Sequence, residues 1–295
     1  MSQKILITGA TGNYGGGIAT GLSKLGMVHD VALLVRDVES EKSKSLAALG
    51  FELRSGSYTD TESLEAALQG IDVLFFVSAS DIDGRWPQHL NVLEAAEKAG
   101  VNHIVYTSAG HKNKSADGPL HPVMSAHIET EQWLQKSSIT YTILRHNLYA
   151  EVIPLFVGDK AALAQSNTLY FPAGKGLTAF VARQDLIEAG IKIISDVASH
   201  ANKVYAFNGV ANYGFDDIAA TIASITGNPV VYVSPDFATF KSTMSGYGVP
   251  APVIELMLMF AGGIEEGEFD NVQNDLPLIL EHAPTDLAAS LARVY

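Results

Sequence analysis

Gly9, Gly12 and Gly15 stand at three-residue intervals in Ile7-Thr-Gly-Ala-Thr-Gly-Asn-Tyr-Gly15, directly after an apolar run that begins at Ile5. In that setting each glycine has a physical task. One permits a sharp turn, one lets backbone approach a pyrophosphate, and one lets a helix pack close to the strand. The free N–H groups and dipole at the start of such a helix attract phosphate. Gly9, Thr11, Gly12, Asn13, Tyr14 and Gly15 are therefore the expected contacts of a dinucleotide. Ile18, Ala19, Leu22 and Leu25 recur at helical spacing behind them. Without that context, the same trio would read as a glycine-rich turn.

Further candidates follow at the ends of later apolar runs. Arg36 closes Leu33-Leu-Val-Arg-Asp37. A carboxylate there suits the ribose hydroxyl of NAD, whereas an arginine suits the 2′-phosphate of NADP. NADPH is the expected cofactor, with NADH possible but weaker because Asp37 adjoins Arg36. Lys42 or Lys44 adds positive charge if the loop folds back. Tyr58, in Tyr58-Thr-Asp60, falls where the adenine would lie, although Thr59 or Asp60 can equally cap the next helix. Ser78, Ala79 and Ser80 are small enough for a ribose or nicotinamide to approach, and Gly84-Arg-Trp-Pro87 reads as a loop flanking them. Thr107 and Ser108 end another run, and His127 and Glu131 are four apart on one helical face. His127 can bond the nicotinamide ribose or give a proton, or it is one half of a surface pair. A metal ion is not expected, because no third ligand stands at suitable spacing. Asn147 can bond an amide, and Tyr149 can wall a pocket, donate a proton or pack in the core. Phe156, Phe171, Phe180, Phe240, Met257 and Met259 fit an apolar pocket or plain core.

Positioning these residues requires strands at Ile5–Thr8, Val31–Val35, Phe51–Ser55, Val73–Val77, Ile104–Thr107 and Tyr141–Leu144. Helical patterns near Ile18–Lys24, Glu41–Leu49, Thr61–Leu68, Pro87–Ala99 and Val123–Lys136 alternate with them. Thr59-x-x-Glu62 reads as a capping box for the third helix. Gly26, Gly50, Gly70 and Gly100 stand where helices should stop. The alternation predicts an α/β fold, a Rossmann-like doubly wound parallel sheet over residues 1–145, with ligands at the strand C-termini. Residues 146–295 are expected to form mainly a smaller α/β substrate-binding cap, with some segments returning to the sheet. In that half Gln184–Val197 and Phe215–Thr226 read as helices, and Lys203–Asn208 and Val230–Val233 as strands.

Bulk composition narrows the classes of function. Nineteen Lys and Arg against 32 Asp and Glu give a formal net charge of −13 over 295 residues. Such a chain is poorly suited to nucleic-acid phosphates or an anionic membrane surface. It has no cysteine, hence no disulfide, thiolate nucleophile or cysteine metal site, which fits a reducing cytosol. The N-terminus shows no secretory signal pattern. The apolar stretch Val253 to Ile264 is too short to span a bilayer and reads as a buried or lid helix.

Taken together, the motifs resemble the NmrA-like atypical short-chain dehydrogenases/reductases. The resemblance rests on Ile7-Thr-Gly-Ala-Thr-Gly12, Val35-Arg36, Pro87-Gln-His-x-Asn91, Tyr106-Thr-Ser108, His127-Ile-Glu-Thr-Glu131, Tyr141-Thr-x-Leu-Arg145 with Asn147, and Lys203-Val-Tyr205. Within that family the chain most resembles the type-2 NAD(P)H:quinone oxidoreductases and triphenylmethane dye reductases. The resemblance implies a Rossmann domain with a small C-terminal domain, NADPH, and a cleft between the two. It departs from ordinary short-chain dehydrogenases in lacking Tyr-x-x-x-Lys, with His127 in the tyrosine slot and Glu131 in the lysine slot. That loss argues against routine alcohol chemistry and for hydride transfer to a quinone or similar flat conjugated acceptor, in a monomer or homodimer. His127, Asn147 and Tyr149 are then the expected catalytic residues. Alternatives are a non-catalytic NADP(H)-sensing regulator, or a reductase of azo, imine or carbonyl substrates.

Overall fold

The structure, a computed structural model, describes residues 3–112, 116–270 and 273–295. Its first six strands are β1 (Ile5–Ile7), β2 (Val31–Val35), β3 (Glu52–Ser55), β4 (Val73–Val77), β5 (His103–Ala109) and β6 (Thr140–His146). Between them run α1 (Asn13–Lys24), α2 (Glu41–Ala48), α3 (Thr61–Leu68), α4 (Arg85–Ala99) and α5 (His121–Lys136). Each expected element is present with its ends shifted by a few residues at most, except that α1 begins five residues earlier, at Asn13. Gly26, Gly50, Gly70 and Gly100 all hold positive φ, the left-handed backbone that ends a helix without a Cβ penalty. The cap of α3 needs correction. Asp60, not Thr59, accepts the N–H of Ser63, at 3.2 Å, and the Thr59 hydroxyl instead bonds Ser57. A carboxylate one residue nearer the helix outcompetes the hydroxyl. Arg85 and Trp86, expected in the loop before this helix, lie in the first turn of α4.

The chain continues through α6 (Ile153–Val157), α7 (Lys160–Ser166), β7 (Thr168–Tyr170), α8 (Arg183–Ser195), β8 (Lys203–Phe207) and α9 (Phe215–Thr226). It closes with β9 (Val231–Val233), α10 (Phe237–Gly246), α11 (Ala251–Glu265), α12 (Leu276–Leu280) and α13 (Leu287–Leu291). Two compact units result. The first comprises Met1–Ala109, Val123–Arg145 and Leu186–Tyr205, and the second Gly110–Pro122, His146–Asp185 and Ala206–Tyr295.

Seven strands form one sheet in the order β3-β2-β1-β4-β5-β6-β8. Pairing is parallel from β3 through β5, with Ile5 opposite both Val31 and Val73. β1, β2, β4 and β5 are buried almost throughout, as strands covered on both faces must be. Strand order reverses between β1 and β4, so a crevice opens at their C-terminal ends. On one face α1 and α8 pack very closely. A Cβ on Gly17 or Gly21 would lie 2.3 or 2.2 Å from Ile187 or Ile191.

The second unit has its own parallel pair, β7 with β9, and an aromatic core. Phe171 lies 5.0 Å from both Phe156 and Phe215, ring to ring, and packs edge-on against Phe240. Phe156, Phe171, Phe180 and Phe240 are all buried and build this core rather than an open pocket wall. Met257 and Met259 are half-buried on α11, which is neither wholly buried nor wholly exposed. No helix among the described residues is long and apolar enough to cross a membrane.

Candidate functional site

The glycine turn follows β1 at the strand-order reversal. Gly9 has a φ of +62°, and the N–H of Gly12 donates back to its carbonyl at 2.9 Å. A Cβ on Gly15 would come within 2.6 Å of the Gly9 carbonyl oxygen, and one on Gly9 within 3.1 Å of Val77 on β4. These contacts are with fixed backbone or a packed strand, so the turn exists only because the residues are glycine. α1 starts at Gly12 with no side-chain cap, leaving its first N–H groups for a ligand. Gly9, Gly12 and Asn13 are exposed and Thr11 is half-exposed. Tyr14 is different: its ring is buried and its hydroxyl donates to the Leu186 carbonyl at 3.2 Å. That side chain is committed to the fold, which corrects the sequence expectation for it.

Arg36 is exposed at the end of β2. Asp37 is occupied by its own turn. Its carboxylate accepts the N–H of Glu39 at 2.8 Å, and its carbonyl accepts the Ser43 hydroxyl at 2.6 Å. Lys42 folds back, as its position allowed, and donates to the Thr11 carbonyl at 3.2 Å. Lys42 thus stands beside the glycine turn, Arg36 is exposed where the neighbouring strand ends, and the Asp37 carboxylate takes part in building the entry to α2.

Tyr58 does not offer its hydroxyl to a ligand. That oxygen lies 2.5 Å from Thr8 Oγ1 and 2.7 Å from the Val77 carbonyl, and burial raises its pKa far above the usual phenol range. Tyr58 therefore stitches the ends of β1 and β4 together through its hydroxyl. Ser78, Ala79 and Ser80 form the loop after β4. The Ser78 N–H donates to Thr107 Oγ1 at 3.0 Å, which occupies the threonine hydroxyl.

Two residues that the sequence reading passed over grip the same loop. His89 Nε2 accepts the Ala79 N–H at 2.9 Å, and Arg85 Nε donates to the Ala79 carbonyl at 2.8 Å. A backbone N–H can only donate, so His89 carries its proton on Nδ1, which donates to Thr130 Oγ1 at 2.8 Å. Thr130 passes its own proton to the Ala126 carbonyl. Burial, helped by the Arg85 charge, pushes the pKa of His89 down to about 3. Arg85 is itself buried. Its Nη1 donates to the Val123 carbonyl at 2.9 Å and reaches His127 Nε2 at 3.3 Å. His89 lies inside Pro87-Gln-His-x-Asn91 and Arg85 inside Gly84-Arg-Trp-Pro87, segments that the sequence marks without giving either side chain a role.

His127 is buried, with Nδ1 2.7 Å from the Tyr106 hydroxyl and Nε2 facing Arg85. Arginine only donates, so Nε2 is the acceptor and Nδ1–H points to Tyr106. The helical-face expectation for Glu131 is resolved as a buried ion pair. Arg145 meets its carboxylate through Nε at 2.9 Å and through Nη2 at 2.5 Å. The same carboxylate accepts the Ser108 hydroxyl at 2.6 Å. Ser108 is thereby committed to Glu131 rather than to a ligand.

Asn147 and Tyr149 belong to the second unit. Asn147 is buried and fully engaged. Its Nδ2 donates to Asn208 Oδ1 at 2.7 Å and to the Phe269 carbonyl at 2.9 Å, and its Oδ1 accepts the Leu148 N–H. This amide ties three chain segments together, which corrects its reading as a ligand for substrate. Tyr149 is half-buried, with its hydroxyl 3.1 Å from His146 Nδ1 and the Arg183 guanidinium 5.2 Å above its ring. Burial pushes its pKa up to about 12, so it is a neutral phenol at pH 7.

Fold and site together define a Rossmann-type α/β protein with the glycine turn and strand-end arginine of dinucleotide binders. The chain belongs to the NmrA-like family, whose model matches residues 1–289. It is 32% identical to quinone oxidoreductase 2 of Escherichia coli, over 99% of this chain and 98% of that one. The crystal structure of that E. coli enzyme complexed with NADPH superimposes with a TM-score of 0.88, covering 98% of this chain and 99% of the other. The triphenylmethane reductase of Citrobacter sp., complexed with NADP(H), gives 0.89 at 30% identity, with 99% and 100% of the two chains covered. An NAD(P)H azoreductase from Xenophilus azovorans is 24% identical over 86% of this chain and 84% of its own.

Proposed function

We propose that this protein is an NADPH-dependent reductase that delivers hydride to a quinone or similarly flat, conjugated acceptor. The observation that carries the acceptor class is the fate of the acid–base positions. Ser108 and Glu131 are locked with Arg145, and His127 is held between Tyr106 and Arg85. No side chain at those positions is free to protonate an alkoxide. A quinone needs no such acid, because hydride addition leaves a delocalised anion that takes a proton from solvent, and a cationic dye becomes neutral on receiving hydride and needs no proton at all. Similarity to the quinone and triphenylmethane reductases supports the same choice.

The cradle fits the cofactor. The exposed N–H groups at the start of α1 receive the pyrophosphate, and Arg36 with Lys42 meets the 2′-phosphate. Asp37 spends one carboxylate oxygen on its own loop. Bound NADPH supplies the hydride. The chain's part is to hold the Val77–Ser80 loop in shape, to orient the acceptor and to exclude water around it. The second unit is read as the acceptor-binding part, with Tyr149 as an aromatic wall and the acceptor as a small apolar molecule. A cysteine-free chain of this kind suits the cytosol. NADPH oxidation against a quinone, a triphenylmethane dye, an azo dye and an aliphatic ketone tests this reading. Turnover with the first two and little with the ketone is expected. Preference for the azo dye would move the substrate class, and tight NADPH binding without any turnover would favour a sensor.

A further inference from the structure

α4 sends a series of side chains to the loops at the C-terminal edge of the sheet. Arg85 and His89 take the carbonyl and the N–H of the same residue, Ala79. Gln88 donates to Asp81, just beyond that loop, at 3.0 Å, and Asn91 donates to the Tyr58 carbonyl, in the loop after β3, at 2.9 Å. The grip on Ala79 is costly by construction. His89 is fully buried, and Arg85 is a buried guanidinium whose hydrogen-bond partners, Ala79 O, Val123 O and His127, carry no carboxylate. The Asp81 carboxylate adds favourable charge but no hydrogen bond, and a buried guanidinium without a directly paired carboxylate is unfavourable, so a helix that merely had to pack would carry an apolar residue there. Both residues are also tied onward to α5, Arg85 to Val123 and His127, and His89 to Thr130. The two peptides that meet at Ala79 are therefore fixed in orientation by two helices.

We propose that Arg85 and His89 are positioning residues that clamp the two peptides meeting at Ala79 and so shape the wall of the nicotinamide half of the cofactor site. The inference rests on the cofactor reading above. It deepens that reading by assigning α4 a task in binding. Direction follows from topology. Arg36 fixes the adenosine end beyond β2, and the glycine turn after β1 holds the pyrophosphate. The remaining half must then extend past β4, where Val77–Ser80 lies. His127 acts through the same clamp, since its Nε2 meets Arg85.

The test compares two ligands on the intact protein, NADPH and 2′,5′-ADP, the latter lacking the nicotinamide half. His89→Leu removes the acceptor for the Ala79 N–H, whereas His89→Gln restores an acceptor oxygen near the position of Nε2. His89→Leu is expected to raise the Kd for NADPH at least tenfold and leave that for 2′,5′-ADP within twofold. His89→Gln should recover most of the NADPH affinity. Equal weakening of both ligands, or a folded His89→Leu that binds NADPH like the wild type, would overturn the clamp. If His89→Leu does not fold, Arg85→Met, which frees the carbonyl of the peptide on the other side of Ala79, is judged by the same two ratios. Wild-type protein that bound neither ligand would overturn the cofactor reading itself, and the clamp with it.

Discussion

At the scale of single residues, charge decides more than shape. Arg36 stands free of the turn that Asp37 builds, so Arg36→Ala should weaken NADPH binding by about 1.5–3 kcal/mol, the range for hydrogen bonds to charged partners. NADH binding should barely change, and isothermal titration with both cofactors measures the difference. Equal losses would mark Arg36 as structural. Glu131 makes the opposite kind of prediction. Glu131→Gln leaves Arg145 without its anion inside the fold. The expected cost is about 2 kcal/mol of stability, below the usual cost of breaking a buried pair because Arg145 is about a quarter exposed. Urea unfolding reads this directly. Ser108→Ala should cost less, since the ion pair survives it. From its type and spacing, His127 is a candidate to bond the nicotinamide ribose or to help as an acid. Its two nitrogens now have named partners, so His127→Ala should act by loosening Arg85 and Tyr106. Turnover should fall about ten- to a hundredfold, at or below the low edge of general-acid effects. The pH profile of kcat should keep its shape, whereas a lost acid would remove a limb.

At the scale of elements, the strand–helix alternation was legible because buried parallel strands and amphipathic helices have different periods. β2, β4 and α3 fall where Val31–Val35, Val73–Val77 and Thr61–Leu68 place them. The glycine turn was legible for the same local reason, and Gly15→Ala, with its Cβ 2.6 Å from backbone oxygen, should destabilise the fold by about 1–3 kcal/mol. Cofactor affinity should fall with it, and thermal shift with and without NADPH separates the two effects. What the sequence could not give was the direction of side chains at the strand ends. Tyr58, Ser108 and Asn147 have the right types in the right places for ligand contact. Each instead satisfies a partner that is distant in the chain: Thr8, Glu131 and Phe269. Buried polar groups must find partners, and long-range partners leave no mark on local spacing. Arg85 was missed for the same reason, because its acceptors are backbone carbonyls, which every residue carries.

Over the whole molecule, three buried histidines set the acid limit of stability. Burial pushes His89 and His146 down to about 3 and His103 to about 4, the last with help from His200. Unfolded, each titrates near 6.5. Between those values the unfolded chain binds more protons, so the stabilisation is complete above about pH 6.5 and is lost as the pH falls towards 3. Each contributes a slope of up to about 1.4 kcal/mol per pH unit. Urea midpoints should therefore begin to fall near pH 6.5, before the carboxylates of this acidic chain titrate, and a flat profile down to pH 5 would contradict the burial. Function depends on the complete protein, and one experiment addresses it most directly. It is stopped-flow oxidation of NADPH by wild type and His127→Ala, with one quinone and one simple ketone as acceptors. Fast oxidation by the quinone, slowed but not abolished in His127→Ala, and negligible reaction with the ketone is the expected result. Fast ketone reduction that collapses in His127→Ala would mean an acid-catalysed carbonyl reductase and contradict hydride transfer to a conjugated acceptor without a protein acid.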